Sequence, residues 1–436
     1  MITIPTLSPV DETGAVRLTI EILERLLGPD GLPGLTVRLW EGTLWPDEKA
    51  RAATLVLNRP SALKEMLAGG SEVAVAEAYV QGAFDVEGDI IAACALSEHL
   101  AEQTQGWTRT LRVAARLASL PAFNNTTSVD GFRPAQLPGR RHSQERDRRA
   151  IQFHYDLSND FYALWLDPRM VYSCAYFDAP DTGLEMAQVH KLEHICRKLD
   201  LRPGDRLLDI GCGWGALLFH AAKRYDVRAV GVTLSQNQFD WIEQRIEEEN
   251  LQNRVTVHLL DYRELSEKVH YDKIASIGMV EHVGGAHLQR YFQKVSGLLK
   301  PGGLFLNQGI GFGPEMRHNE GRSFMLEFVF PDSDLQPIGR MLGEAESGRF
   351  EIRDVESLRH HYTKTLRHWL ARLEGRHNEA AFLVGEEAYR VWRLYLAGSA
   401  HGFLRGYITI YQTLLAKLNG LEFNPMPFTR KAWYRP

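Results

Sequence analysis

LLDIGCGWG, residues 207–215, reads as an apolar strand that runs into an acid and then into three alternating glycines, with a helix-forming stretch behind it. Glycine lets the backbone turn sharply and lets a ligand lie close against it. A dinucleotide loop has the spacing GxGxxG; here Gly211, Gly213 and Gly215 give GxGxG, with Asp209 two residues ahead. That form suits S-adenosylmethionine (SAM), whose amino-acid end would lie against Asp209, Gly211, Cys212, Gly213, Trp214 and Gly215. A plain strand-to-helix turn and NAD binding are the alternatives this stretch leaves.

Towards the C-terminus, RAVGVTLS, VTVHLLD, KIASIGMVEHV and GLFLNQGIG follow as further strand candidates. Strand–helix alternation predicts a parallel, doubly wound α/β sheet. A methyltransferase usually ends its second strand in an acid that binds the ribose hydroxyls. This chain has Thr233, Ser235 and Gln238 there, whose hydroxyls and amide can make neutral hydrogen bonds instead. Asp261 and Tyr262 follow the third strand, where an adenine contact is expected; a helix cap is the other reading of Asp261. Towards the N-terminus, residues 186–199 place Met186, Val189, Leu192, Ile195, Cys196 and Leu199 on one helix face, with Lys191, Arg197 and Lys198 outside.

The 436 residues predict two or three domains, and 44% apolar with 24% charged residues excludes a disordered or fibrous protein. A formal net charge of −5 offers no global basic surface for nucleic acid. No apolar run reaches the ~18 residues of a membrane span. The first residues, MITIPTLSPVDETG, lack the basic-then-apolar order of a secretory signal. Cys94, Cys174, Cys196 and Cys212 are scattered, so neither a metal site nor a disulfide framework is expected. Residues 1–123 read as a small α+β domain: a helix stopped by Gly28, strands at LTVRLW and ATLVLN, a helix capped by Ser61 and ended by Gly69-Gly70, and another over 90–103. Residues 124–150 read as a linker and 151–436 as the larger domain. The linker carries Arg140, Arg141, Arg146, Arg148 and Arg149. They read either as a solvated linker and helix start or as a patch for anionic lipid headgroups, worth about 1 kcal/mol per basic residue.

In these motifs the chain resembles the cyclopropane fatty acid synthases, including the mycolic acid cyclopropane synthases. The resemblance runs through HYDLSNDFY, LDPRMVYSCAYF, DIGCGWGALLFHAA, GVTLSQNQ, DYR, SIGMVEHVG, HYTKTLRHW and WRLYLAGSAHGF, about residues 150–415. AEAYVQGAFDVEGD also looks like the accessory domain of the longer bacterial members. The resemblance implies a Rossmann-like class I SAM-dependent methyltransferase domain with a smaller N-terminal, lipid-binding α+β accessory domain. It implies transfer of a methyl carbon from SAM to the cis double bond of an unsaturated phospholipid acyl chain, closing a cyclopropane. A related C-methylation that leaves a methylene or methyl branch is the alternative.

The resemblance further implies hydrogencarbonate (bicarbonate) as the base, held by Cys174, Glu281, Ile310 and Tyr362, and SAM contacts at Tyr172 and Ser173 besides the residues above. Glu281 would orient the base. His282 is read as a neighbouring group. The chain departs from the family at Gln308, where histidine is usual; glutamine donates a hydrogen bond but carries no charge. Ser399 stands where many members have cysteine, which excludes a covalent role there, and 324–332 differs from the usual tyrosine-containing form. Expected partners are membrane phospholipid and no nucleic acid, with a homodimer left open. The expected location is the cytoplasm, at the inner face of the membrane.

Overall fold

The computed structural model describes residues 11–67, 70–96, 99, 114–122, 135, 137–155, 157–314, 323–420 and 427–434. The chain forms two compact units. One takes in residues 1–134, 320–329 and 385–401, the other 135–319, 330–384 and 402–436. Of the stretch read as a linker, 123–134 and 136 lie outside the described residues, and Gln144–Tyr155 is a helix.

In the first unit, strands β1 (Leu35–Arg38), β2 (Leu44–Trp45), β3 (Ala53–Leu57) and β4 (Phe84–Gly88) form a sheet in the order β2-β1-β3-β4. Helix Glu12–Leu27 starts on Asp11, whose side chain accepts from the Gly14 N–H at 2.8 Å, and stops at Gly28, whose φ of 80° suits glycine. Ser61 does not cap the next helix, Ala62–Leu67, as expected: its hydroxyl donates to Glu65 at 2.7 Å. The helix read over 90–103 is described as Ile90–Ala93, and Gly69 lies outside the described residues. Residues 385–401 join this unit through two arginines. Arg390 donates to Asp85 at 2.7 Å, and Arg393 donates to the Tyr79 hydroxyl at 2.7 Å and to the Val86 carbonyl at 2.8 Å.

The second unit holds the sheet that the glycine motif announced. Strands β5 (Arg206–Ile210), β6 (Arg228–Thr233), β7 (Val255–Leu259), β8 (Tyr271–Ile277) and β9 (Leu299–Phe312) pair in parallel in the order β9-β8-β5-β6-β7. Two further strands, β10 (Phe350–Ser357) and β11 (Ile408–Lys417), extend it as β10-β11-β9 by antiparallel pairing. Side chains alternate across the pleat. Leu207, Leu306 and Leu414 enter one core layer with helices Leu184–Lys198 and Ala216–Tyr225. Leu208, Phe305 and Leu415 enter the other with helix Leu288–Leu298. Chain order reverses between β5 and β8, so their C-terminal ends leave the crevice where α/β sheets take ligands.

Helix Leu184–Lys198 corrects one expectation. Lys191 and Lys198 are buried, 3% and 1% exposed, whereas Met186 is 53% exposed. Gln188, Lys191, His194 and Lys198 recur at helical spacing and form a second, polar buried stripe beside the apolar one. Lys198 lies 3.0 Å from Asp354 and 2.5 Å from Glu356, and His194 meets Glu356 at 2.8 Å. Burial pushes Glu356 upward, but the bonds from His194 and Lys198 outweigh it and hold the carboxyl near 2. Removing one partner of a buried ion pair strands the other charge. Lys198→Met should therefore lower the unfolding free energy by about 3 kcal/mol in urea titration. A loss below about 1 kcal/mol would show that water already reaches these charges.

Candidate cofactor and reaction site

The crevice at the ends of β5 and β8 is lined by Tyr172, Ser173, Asp209, Gly211, Cys212, Gly213, Trp214, Thr233, Gln238, Asp261 and Tyr262, all expected to contact the cofactor. Gly211, Gly213 and Gly215 have φ of 77°, 54° and 81°, backbone that other residues rarely adopt. A Cβ built on Gly213 meets nothing within 4 Å, so open space lies directly against the loop. Gly215 and Ser235 do not line the crevice. A Cβ on Gly215 would come 3.0 Å from Ile242 and Phe219, so this glycine allows close packing. Ser235 caps helix Gln236–Glu248 by accepting from the Gln238 N–H at 3.4 Å. Thr233 donates to the Gln238 side chain at 2.7 Å. Asp261 caps the short turn Tyr262–Glu264, the second of its two readings, and also lines the crevice. Arg263 bridges Asp261, at 2.6 Å, to Asp147 of helix Gln144–Tyr155, at 2.9 Å.

Two groups shape the electrostatics beneath the loop. Asp209 is 3% exposed with Oδ1 lacking a hydrogen-bond partner; burial pushes its carboxyl up to about 7, against the pull of Lys191. Lys191 donates to the Ser173 hydroxyl at 3.1 Å, and burial brings its ammonium down to about 8. A cationic, hydrogen-bond-donating ligand end fits this arrangement: an orphaned buried carboxylate oxygen, open space at Gly213 and a crevice lined by Asp147, Asp209 and Asp261. SAM meets those conditions.

None of Cys174, Glu281, Gln308, Ile310 and Tyr362 lines the crevice, yet the fold gathers them beside it. The Ile310 N–H donates to Glu281 Oε1 at 2.6 Å. Ile310 pairs across the sheet with Ile410, whose carbonyl accepts from the Leu358 N–H at 2.9 Å. The Leu358 carbonyl lies 3.8 Å from Cys174 Sγ. Gln308 stands two residues inward on β9, opposite Gln412. Tyr362 contacts Trp369, with ring centroids 6.0 Å apart, and Trp369 contacts Tyr172 of the crevice at 5.4 Å.

Glu281 sits on the turn Val280–His282, and the next residue, His282, lines the crevice. Burial raises the Glu281 carboxyl to about 7 and lowers His282 to about 4. Glu281 Oε2 has no hydrogen-bond partner. Burial pushes the Cys174 thiol far above its ordinary range, which keeps it un-ionised. Sequence reasoning set His282 aside and placed Lys191 on the surface. The four polar residues at helical spacing, Gln188 to Lys198, were the signal for Lys191.

The arginine cluster divides. Arg146 meets Asp332 at 2.5 Å, Arg141 donates to the Ser333 carbonyl at 3.3 Å, and Arg149 pairs with Glu145 at 2.5 Å. Arg140 and Arg148 are exposed without an ion pair among the described residues.

Two expectations follow. Gly213→Val should abolish SAM binding in calorimetry while circular dichroism retains the fold; unchanged affinity contradicts the loop assignment. For Asp209 the folded pKa lies above the unfolded value, so the folded chain holds a proton that the unfolded chain has released. Its contribution to stability therefore falls as pH rises from about 4 to about 7. Asp209→Asn should remove that slope, gaining stability over the unmutated chain at pH 8 but not at pH 4 in denaturant titrations; parallel curves contradict the buried acid.

The mycolic acid cyclopropane synthetase family matches residues 142–413. A probable fatty acid methyltransferase of Pseudomonas putida is 38% identical over 92% of this chain and 96% of its own length. Cyclopropane mycolic acid synthase 1 of Mycobacterium tuberculosis is 39% identical over 60% of this chain and 94% of its own. Among solved structures, mycolic acid cyclopropane synthase CmaA1, complexed with SAH and CTAB, superposes with a TM-score of 0.59 at 36% identity, covering 62% of this chain and 98% of that one. The sheet, the glycine loop and these matches agree: the chain belongs to the mycolic acid cyclopropane synthetase family of SAM-dependent methyltransferases.

Proposed function

We propose that the protein delivers the methyl carbon of SAM to the cis double bond of an unsaturated phospholipid acyl chain and closes a cyclopropane. The observation that carries this reading is the buried Glu281, with one oxygen anchored, the other without a partner and a pKa near 7. SAM, when bound, supplies an electrophilic methyl carbon that the alkene's π pair takes up as the sulfur leaves, giving a carbocation beside an acidic new methyl.

Glu281 accepts the proton from that methyl, and the freed C–H pair closes the ring. A carboxylate poised near neutral pH is matched to such a transfer. The rings of Tyr172, Trp369 and Tyr362, which follow one another in contact from the crevice inward, stabilise positive charge by ~0.5–2 kcal/mol per contact. Burial keeps water from the cation. Asp209, Tyr172, Ser173, Gln238 and Asp261 hold the cofactor.

Two of the donors expected for hydrogencarbonate are taken, the Ile310 N–H by Glu281 and the Cys174 thiol by the carbonyls of Ala175 and Leu358, so in this reading the proton goes to Glu281; the Gln308 amide keeps an unpartnered donor.

Gln308 favours a second reading, methylene or methyl branching, because an uncharged amide stands two residues before Ile310, to which Glu281 is bonded, where the family's histidine is usual. Exposed Arg140 and Arg148 support docking on an anionic membrane surface, each worth about 1 kcal/mol. No helix among the described residues is long and apolar enough to cross a membrane.

The test is turnover on vesicles of unsaturated phospholipid with SAM, read by mass spectrometry of fatty acid methyl esters. Glu281→Gln should reduce turnover by at least ~10²-fold, with SAM affinity retained. Buffer stripped of carbon dioxide should leave the unmutated rate unchanged. Full activity of Glu281→Gln contradicts the assignment. Loss of activity without carbon dioxide would make hydrogencarbonate the base and Glu281 its orienting partner.

A further inference from the structure

Gln412 faces Gln308 across the antiparallel pair of β9 and β11, and both side chains are fully buried at 0% exposure. One hydrogen bond joins them: Gln412 Nε2 donates to Gln308 Oε1 at 2.9 Å. Gln308 Nε2 and Gln412 Oε1 then have no partner. An amide carries its oxygen and nitrogen on opposite sides, so holding Gln308 by its oxygen turns its N–H donors away from Gln412. Turning both amides over leaves the same balance, one donor group and one acceptor unsatisfied. A buried amide without a partner is costly, so such a pair persists where something else holds it or where it serves the site.

The pair lies where the reaction machinery converges. Two residues further along β9, and two residues back on the antiparallel β11, Ile310 faces Ile410. Ile310 is anchored to Glu281, and Ile410 to Leu358. Gln308 and Ile310 share one face of β9, because alternate residues on a strand point the same way. The Gln308 carbonyl also accepts from the Gly278 N–H at 2.9 Å, where β8 ends and the chain turns towards Glu281.

We propose that Gln412 is a positioning residue that sets the orientation of the Gln308 amide, and that this orientation decides how the cation gives up its proton, hence the ratio of ring-closed to branched product. Gln412 touches no reacting atom in this scheme; it acts through Gln308. The inference rests on the functional reading above and adds its product-determining element.

Gln412→Met keeps the length and apolar volume of the chain and removes the donor. Gln412→His restores an N–H donor at that position. The assay measures SAM turnover on unsaturated phospholipid vesicles, the ratio of cyclopropane to branched methyl esters and SAM affinity by calorimetry. Gln412→Met should change the product ratio or the turnover number by about tenfold, the scale of one hydrogen bond, with SAM affinity within twofold. Gln412→His should return both towards the unmutated values. The product ratio is read per turnover, so partial unfolding alone does not move it. If the unmutated protein forms lipid product and Gln412→Met forms it at the same ratio and rate, this inference falls and the functional reading stands. If the unmutated protein forms no lipid product, the functional reading falls and takes the inference with it.

Discussion

The hydrogen bond from the Ile310 N–H to Glu281 holds the reaction side of the molecule together. Strand β8 stops at Ile277 while β9 continues to Phe312, so one edge of β9 loses its neighbour inside the fold. A buried N–H without a partner is costly. The Glu281 carboxylate fills that vacancy at 2.6 Å. The bond fixes the turn Val280–His282 and thereby sets His282 against the crevice. It also leaves Oε2 of the same carboxylate buried and unmatched. Burial of that carboxyl away from water pushes its pKa upward. Backbone satisfaction and the proton acceptance we propose thus share one side chain.

Much of this arrangement is legible in the sequence. The five parallel strands each carry a short apolar run bounded by turn residues, and the glycine loop fixes where the chain reverses. Their order came out as read, with β9 longer at both ends and β8 ending at Ile277, where the stretch read as strand to Val283 instead turns through Val280–His282. β10 and β11 were not read. ITIYQTLLAK is rich in β-branched and apolar residues, but it follows the long helix Glu386–Arg405, where no alternation with a parallel partner gives it away. Its pairing with β9 is set by contacts more than ninety residues apart in sequence, such as Gln412 with Gln308.

The polar stripe on helix Leu184–Lys198 was hidden for a different reason. A lysine at helical spacing beside an apolar face reads as solvated unless its partners are known. Those partners, Asp354 and Glu356, lie on β10, far along the chain. The cofactor loop was easier, because its chemistry is local: glycine conformation, the neighbouring acid and the following helix sit within ten residues. The reaction cluster was legible only through resemblance. Cys174, Glu281, Ile310 and Tyr362 come from four separate segments; Glu281 bonds to Ile310 directly, while Cys174 and Tyr362 both bond to the Leu358 carbonyl, links that no spacing in the sequence encodes.

Isotope transfer from SAM tests the central claim most directly. The protein would be supplied with SAM carrying a fully deuterated methyl group and with vesicles of mono-unsaturated phospholipid, and the recovered acyl esters analysed by mass spectrometry. The account predicts that each modified chain gains one carbon bearing two deuterium atoms, the third having been removed as the proton that Glu281 accepts. Acyl chains that gain no labelled carbon, with label appearing only on a headgroup or a small-molecule amine, would contradict it.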